Sequence, residues 1–248
     1  MKIKLRGKIM IALAVIIFVV LAIAAFCVFF DEAVIVRKDT LYRAKTQDKA
    51  VALTFDDGPS EEWTPKILDV LSKHKVKATF FMIGEHVLRY PDMAKRVAKE
   101  GHEIGNHTFD HHVLVYYKPQ ELVDEIKKSE KIIYEVTGKK TDLLRPPKAW
   151  VTPAEKKIIN NLGYKIILWS LNSKDWVNFN NRYIIKYLMH NIKPGDIILF
   201  HDSGGVFTAE GGNRKVTIKA VGLLIEKLRE KGYRLTTVSE LLSLEGKN

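Results

Sequence analysis

The chain has 248 residues, a formal net charge of +11 at neutral pH and a single cysteine, Cys27. That length suits one sizeable α/β core, and the lone thiol excludes an internal disulfide or a thiolate cluster, so any transition metal must sit on imidazole and carboxylate. The basic excess fits an anionic surface, whereas no basic stripe interleaved with aromatics points to nucleic acid.

Lys2, Lys4, Arg6 and Lys8 precede an unbroken apolar run, Ile9–Phe30. As a helix rising ~1.5 Å per residue, the run reaches roughly 33 Å, enough to cross a bilayer. The spacing predicts a cytoplasmic basic tail (1–8), a single-pass transmembrane signal-anchor (9–30), a linker (31–47) and one extracellular domain (48–242) held at the cell membrane. A cleaved signal peptide is the alternative, but the bulky Cys27-Val28-Phe29-Phe30 offers no small-residue cleavage site.

From Lys49 onward, strand and helix patterns alternate. Val51–Phe55 reads as a strand. Trp63–His74 reads as a helix with Ser60 as N-cap and Pro65 in its first turn. Ala78–Ile83 is a strand, Pro91–Glu100 a helix closed by Gly101, and His102–Gly105 a brief strand. Pro119–Val136 is a long amphipathic helix ended by Gly138, and Leu143-Leu144 a short apolar step. Pro153–Asn161 is a helix, Lys165–Leu171 a buried-type strand and Arg182–His190 a helix. Asp196–Phe200 is a strand, Val216–Lys231 a helix and Arg234–Val238 the last strand. Such alternation predicts one domain with a parallel α/β architecture. The glycine-rich stretch 204–212 lacks the following Lys-Ser or Lys-Thr of a phosphate loop.

Five polar clusters fall just after apolar runs, and in a barrel such strand ends meet on one rim. Asp56-Asp57 puts two carboxylates at a Gly58-Pro59 turn, where their repulsion calls for a cation. His107 and His111, spaced i, i+4, would point the same way on a helical turn. Two imidazoles and one carboxylate make the open, three-ligand site of a catalytic zinc. Arg145, ahead of the stiff Pro146-Pro147, carries a guanidinium that can orient a carboxylate through a forked pair. Asp175 offers a carboxylate to orient a histidine, with Trp176 as an apolar wall, and His201 ends a buried strand as a candidate general acid. The other histidines, His74, His86, His102, His112 and His190, read as structural or surface residues.

In this order the five clusters resemble the motifs of the polysaccharide deacetylases of the NodB-homology type, carbohydrate esterase family 4, over roughly residues 48–241. The resemblance implies a distorted, incomplete (β/α) barrel and hydrolysis of N-acetyl groups on polymers such as peptidoglycan or chitin. It implies Asp57, His107 and His111 as ligands of a divalent ion, zinc foremost, with cobalt or manganese as substitutes. It implies Asp56 as general base, held by Arg145, and His201 as acid, tuned by Asp175. Leu199 and Trp176 would line the acetyl pocket, and the Lys148 N–H would steady the oxyanion. Two positions depart from the pattern: Lys148-Ala149 stands where an aromatic residue and glycine are common, and Asn172 where an aspartate is frequent. The expected partner is an acetylated amino-sugar polysaccharide, probed against two rivals, an O-acetyl esterase of xylan type and an inactive wall-binding module. No obligate protein partner is expected.

Overall fold

The architecture is that of a computed structural model, described for residues 8, 10–22, 33, 36–177, 180–205 and 209–246. Strand β1 (Ala50–Asp56) is buried along its whole length and sets the layering. Its residues alternate between two faces, as a strand must. Val51, Leu53 and Phe55 point to the core shared with the surrounding helices, while Ala50 and Ala52 join an inner cluster with Phe81, Leu143 and Ile197. Small side chains thus fill the tight interior, and the inner face ends in the polar pair Thr54 and Asp56.

Six further parallel strands extend the sheet in the order β5 (Lys165–Ile166), β4 (Leu143–Leu144), β3 (Glu103–Asn106), β2 (Thr79–Met82), β1, β7 (Ile197–His201) and β6 (Leu171–Asn172), with β8 (Arg234–Thr236) beside the first half of β1. The registers Asp56↔His201, Asp56↔Phe81, Met82↔Asn106 and Asn106↔Leu144 align the strand ends. One rim therefore gathers the residues that follow β7, β1, β3 and β4, with the end of β2 between β1 and β3.

Helices cover the outer face: α2 (Thr64–Lys73), α3 (Gly84–Arg89), α4 (Pro91–Lys99), α5 (Pro119–Thr137), α6 (Pro153–Asn161), α7 (Asn181–Asn191), α8 (Lys215–Glu230) and α9 (Val238–Leu242). The N-cap position of α2 is Trp63 rather than Ser60; Ser60 Oγ instead braces the turn before it, accepting the Trp63 and Thr64 N–H groups, both at 3.2 Å. The left-handed Gly138 (φ 67°) ends α5, a conformation glycine adopts without strain.

Three elements differ from the sequence expectation. The run read as one strand, Lys165–Leu171, pairs with β4 at its start and with β7 at its end, so it divides into β5 and β6. Those are the two outermost strands, and the residues between them tie one sheet edge to the other. The last strand stops at Thr236, because Thr237 and Glu240 form a reciprocal capping box that starts α9. Helix α3 follows β2 directly, without the polar spacer that would have separated the two patterns.

Residues 10–22 are helical (α1) with exposed apolar side chains. Among the described residues, no helix is long and apolar enough to cross a membrane, and residues 9 and 23–30 of the expected anchor lie outside them. In the stretch read as a linker, Leu41 bridges to Ile167, Arg43 bridges to Asp196, and Ala44 is buried.

Phe55 stacks on Phe80 with ring centroids 5.0 Å apart and touches Phe200 at 5.9 Å. Replacing Phe55 with alanine should cost about 3–5 kcal/mol in urea unfolding, since the packed rings around it cannot close the gap. A loss well below that range would mean the helix-side core is not packed as described.

Candidate active site

The site grows from the inner face of β1. Arg145, fully buried after β4, gives Nη1 to Asp56 Oδ1 at 2.6 Å and to Thr54 Oγ1 at 2.8 Å. Its Nε and Nη2 reach the carbonyls of Ile167 and Leu168, both at 3.2 Å. The Phe81 ring lies 4.0 Å from the guanidinium carbon. Burial pushes the Arg145 pKa down, and the Asp56 carboxylate offsets part of that fall.

Asp57 turns out of the strand with φ 73°, and its carbonyl accepts a 2.7 Å bond from Nδ1 of the buried His86 on α3. Its Oδ1 lies 3.5 Å from His107 Nε2 and 3.2 Å from His111 Nε2. The His107 Nδ1 is 2.7 Å from the Arg145 carbonyl, which can only accept, so Nδ1 donates there and Nε2 is the ring atom turned toward Asp57. Burial works against a charged Asp57, yet the fields and hydrogen bonds of His111 and His107 outweigh it and hold the carboxyl well below its usual range. One ligand atom from each of Asp57, His107 and His111 lies within 4.8 Å of the others. One carboxylate oxygen and two imidazole nitrogens, one of them fixed by a backbone carbonyl, fit a divalent ion of the zinc type.

The second half of the site stands across the β1–β7 ladder. His201 is the register partner of Asp56, and its Nδ1 is 2.8 Å from Asp175 Oδ1. Asp175 also accepts from the His201 N–H at 3.1 Å, Thr217 at 2.7 Å and Ser173 at 3.1 Å. Burial opposes charge on both groups, but their mutual attraction wins: the His201 pKa rises and that of Asp175 falls.

Leu199 is buried two residues before His201, on the same face of β7, packed with Ala149, Leu168 and Trp169. Trp176 is half-buried and Lys148 exposed. Lys148 and Ala149 both take positive φ, 55° and 56°, so alanine here adopts a conformation that glycine reaches without strain. Asn172 accepts the Lys174 N–H at 2.9 Å and so shapes the turn that presents Asp175.

The two histidines of the His-x3-His pair do not share a helical turn. Thr108 and His111 have positive φ, and the segment is an irregular loop that brings the rings to a centroid distance of 4.9 Å. His112 faces away, exposed and paired with Asp110 at 2.6 Å. His86, read as structural or surface, is structural and holds the Asp57 carbonyl, whereas sequence reasoning assigned no role to Asp202. The Asp202 carboxyl is buried, accepts from Thr64 at 2.5 Å, and has a pKa raised to about 7 by burial and by Asp57 and Asp56. Its place directly after His201 in a buried strand end was the available signal.

The sequence profile of the family described as polysaccharide deacetylase matches residues 43–167. A peptidoglycan-N-acetylglucosamine deacetylase of Bacillus cereus is 39% identical over 203 residues, covering 81% of this chain and 92% of that protein. A peptidoglycan-N-acetylmuramic acid deacetylase of Bacillus subtilis is 34% identical, covering 85% and 78%. The crystal structure of a peptidoglycan N-acetylglucosamine deacetylase in complex with 4-naphthalen-1-yl-N-oxidanyl-benzamide superposes with a TM-score of 0.77 at 35% identity, covering 83% of this chain and 93% of that one.

The Asp175–His201 pair stabilises the fold between two limits. Its contribution is lost as pH falls through the lowered Asp175 pKa and as pH rises through the elevated His201 pKa. In the metal-free chain, an NMR titration should find His201 protonated above the free-imidazole value of about 6.5. Asp175→Asn should bring that midpoint down. A native midpoint at or below the free value would contradict the pairing.

Proposed function

This chain belongs to the polysaccharide deacetylase family, and from that membership we propose that it is a hydrolase removing N-acetyl groups from the amino sugars of cell-wall peptidoglycan. The observation that carries the proposal is the convergence of Asp57, His107 and His111 within 4.8 Å, with Asp56 and His201 in register beside them. Asp57, His107 and His111 would hold a divalent ion, zinc foremost, which supplies Lewis acidity toward water and an acyl oxygen.

The chain's own residues divide the remaining work. Asp56 acts as general base. Arg145 engages its Oδ1, leaving Oδ2, 3.9 Å from His107 Nε2, to take a proton from the attacking water. His201, charged through its bond to Asp175, gives a proton to the departing amine. The Lys148 N–H, set by the positive-φ turn of Lys148 and Ala149, donates to the oxygen that gains charge. Leu199 and Trp176 bound the pocket for the acetyl methyl group and keep it dry. The products are acetate and a free amine, which adds positive charge to the glycan.

The peptidoglycan substrate rests on the names of the similar proteins, which include deacetylases of both N-acetylglucosamine and N-acetylmuramic acid. The basic residues before an apolar run at 9–30 support attachment to the membrane with the domain outside, where such a substrate lies.

Acetate release from peptidoglycan and from N-acetylglucosamine oligomers tests the reading, with mass spectrometry of the wall fragments to identify the sugar. The native chain should release acetate, and a chelator should stop it. Asp56→Asn should lower turnover about 10²–10⁴-fold while leaving metal affinity in place, whereas His107→Ala should lose both. An Asp56→Asn variant with near-native turnover would overturn the base assignment. Release from acetylxylan alone would move the chain to O-acetyl esterase chemistry.

A further inference from the structure

The loop that carries His107 and His111 has no regular structure to hold it. Thr108 and His111 take φ of 67° and 62°, so neither a helix nor a ladder fixes the distance between the two rings. Two local bonds shape its ends: Thr108 N–H to Asn106 Oδ1 at 2.9 Å and His111 N–H to Thr108 Oγ1 at 3.2 Å. The middle is held from outside on two sides: the Thr108 and Phe109 carbonyls accept the Gly84 and Glu85 N–H groups of α3, both at 2.9 Å. Phe109 and Asp110, which lie between the histidines, both donate their N–H groups to Glu125 Oε1, at 2.8 and 2.7 Å.

Glu125 is a buried residue of α5, on the face that also buries Leu122, Ile126 and Ser129. A carboxyl in such a place is costly unless its hydrogen bonds are made, and packing alone would be served by an apolar side chain. The same turn of α5 accepts Asn106 Nδ2 at the Ile126 carbonyl, 3.1 Å away, so one helix face grips both the end of β3 and the loop beyond it. Burial, and then Asp110, raise the Glu125 pKa to about 7, so the group is partly protonated near neutrality and an amide is its close mimic. On its far side Asp110 is held by the Tyr117 hydroxyl at 2.5 Å and by His112.

We propose that Glu125 is a positioning residue for the metal site: by accepting the Phe109 and Asp110 N–H groups, it sets the spacing at which His107 and His111 present their Nε2 atoms toward Asp57. This rests on the metal-site reading above. Glu125 touches neither substrate nor ion, and acts only through the two backbone groups between the ligands. Partners of this kind behind metal ligands commonly change metal affinity.

The test compares the native chain with Glu125→Gln, which keeps an acceptor oxygen, and Glu125→Met, which has similar length and no oxygen. Co²⁺ is titrated into each, and both affinity and the visible d–d spectrum are read, with a thermal melt of each metal-free chain alongside. The native chain and Glu125→Gln should take up one Co²⁺ with the same affinity and the same spectrum. Glu125→Met should bind about 10- to 100-fold more weakly with an altered spectrum.

Native affinity and spectrum in Glu125→Met would overturn the proposal, as would a tenfold loss in Glu125→Gln (by the same ~10- to 100-fold scale). If Glu125→Met fails to fold, amide exchange in the native metal-free chain decides. Protection at Phe109 and Asp110 supports the proposal, and exchange at the rate of exposed loop amides overturns it. A native chain that takes up no Co²⁺ would instead defeat the metal-site reading itself.

Discussion

The contact between Arg145 and Asp56 is the constraint on which the rest of the structure depends. A guanidinium with no exposed surface would be prohibitively costly without partners, and here its donors are spent on two different problems. Two bonds go to β1, neutralising Asp56 and fixing which oxygen stays free. Two go to the carbonyls of Ile167 and Leu168, in the short stretch where the chain leaves one sheet edge for the other. The crossover that joins β5 to β6 and the carboxylate assigned as base are therefore held by one side chain.

Asp56 then lies between two charge systems of opposite purpose. On one side, Asp57 with His107 and His111 offers lone pairs to a cation. On the other, His201 is kept charged by Asp175, which a shell of hydroxyls and a backbone N–H keeps ionised in turn. The β1–β7 register sets the spacing between them, because Asp56 and His201 are ladder partners. Neighbouring carboxylates with separate counter-charges take separate roles, and here the backbone enforces the separation.

Much of this was legible before any coordinates. The apolar run Val51–Phe55 marked β1, helical spacing and Gly138 marked α5, and the ordered polar clusters marked the rim. What stayed hidden follows from physics that acts across the chain. Lys165–Leu171 has one continuous apolar pattern, but its hydrogen-bond partners change midway, and periodicity carries no record of a partner. The i, i+4 spacing of His107 and His111 suggested a helical turn, whereas the rings meet through two left-handed residues that local propensity would not favour. Glu125 looked like any acid on an amphipathic helix, since its burial depends on a loop many residues away. By contrast, the Thr237–Glu240 capping box was visible in the sequence and marks a helix where a strand was read.

The account turns on a single divalent ion shared by three side chains from two separate strand ends. Anomalous diffraction from crystals grown with Zn²⁺, recorded on both sides of the zinc edge, reads this directly. The account predicts one strong peak bounded by Asp57, His107 and His111 at about 2.0–2.2 Å from each ligand atom. A well-ordered structure whose zinc peak lies away from these residues, or in which they hold none, would contradict it.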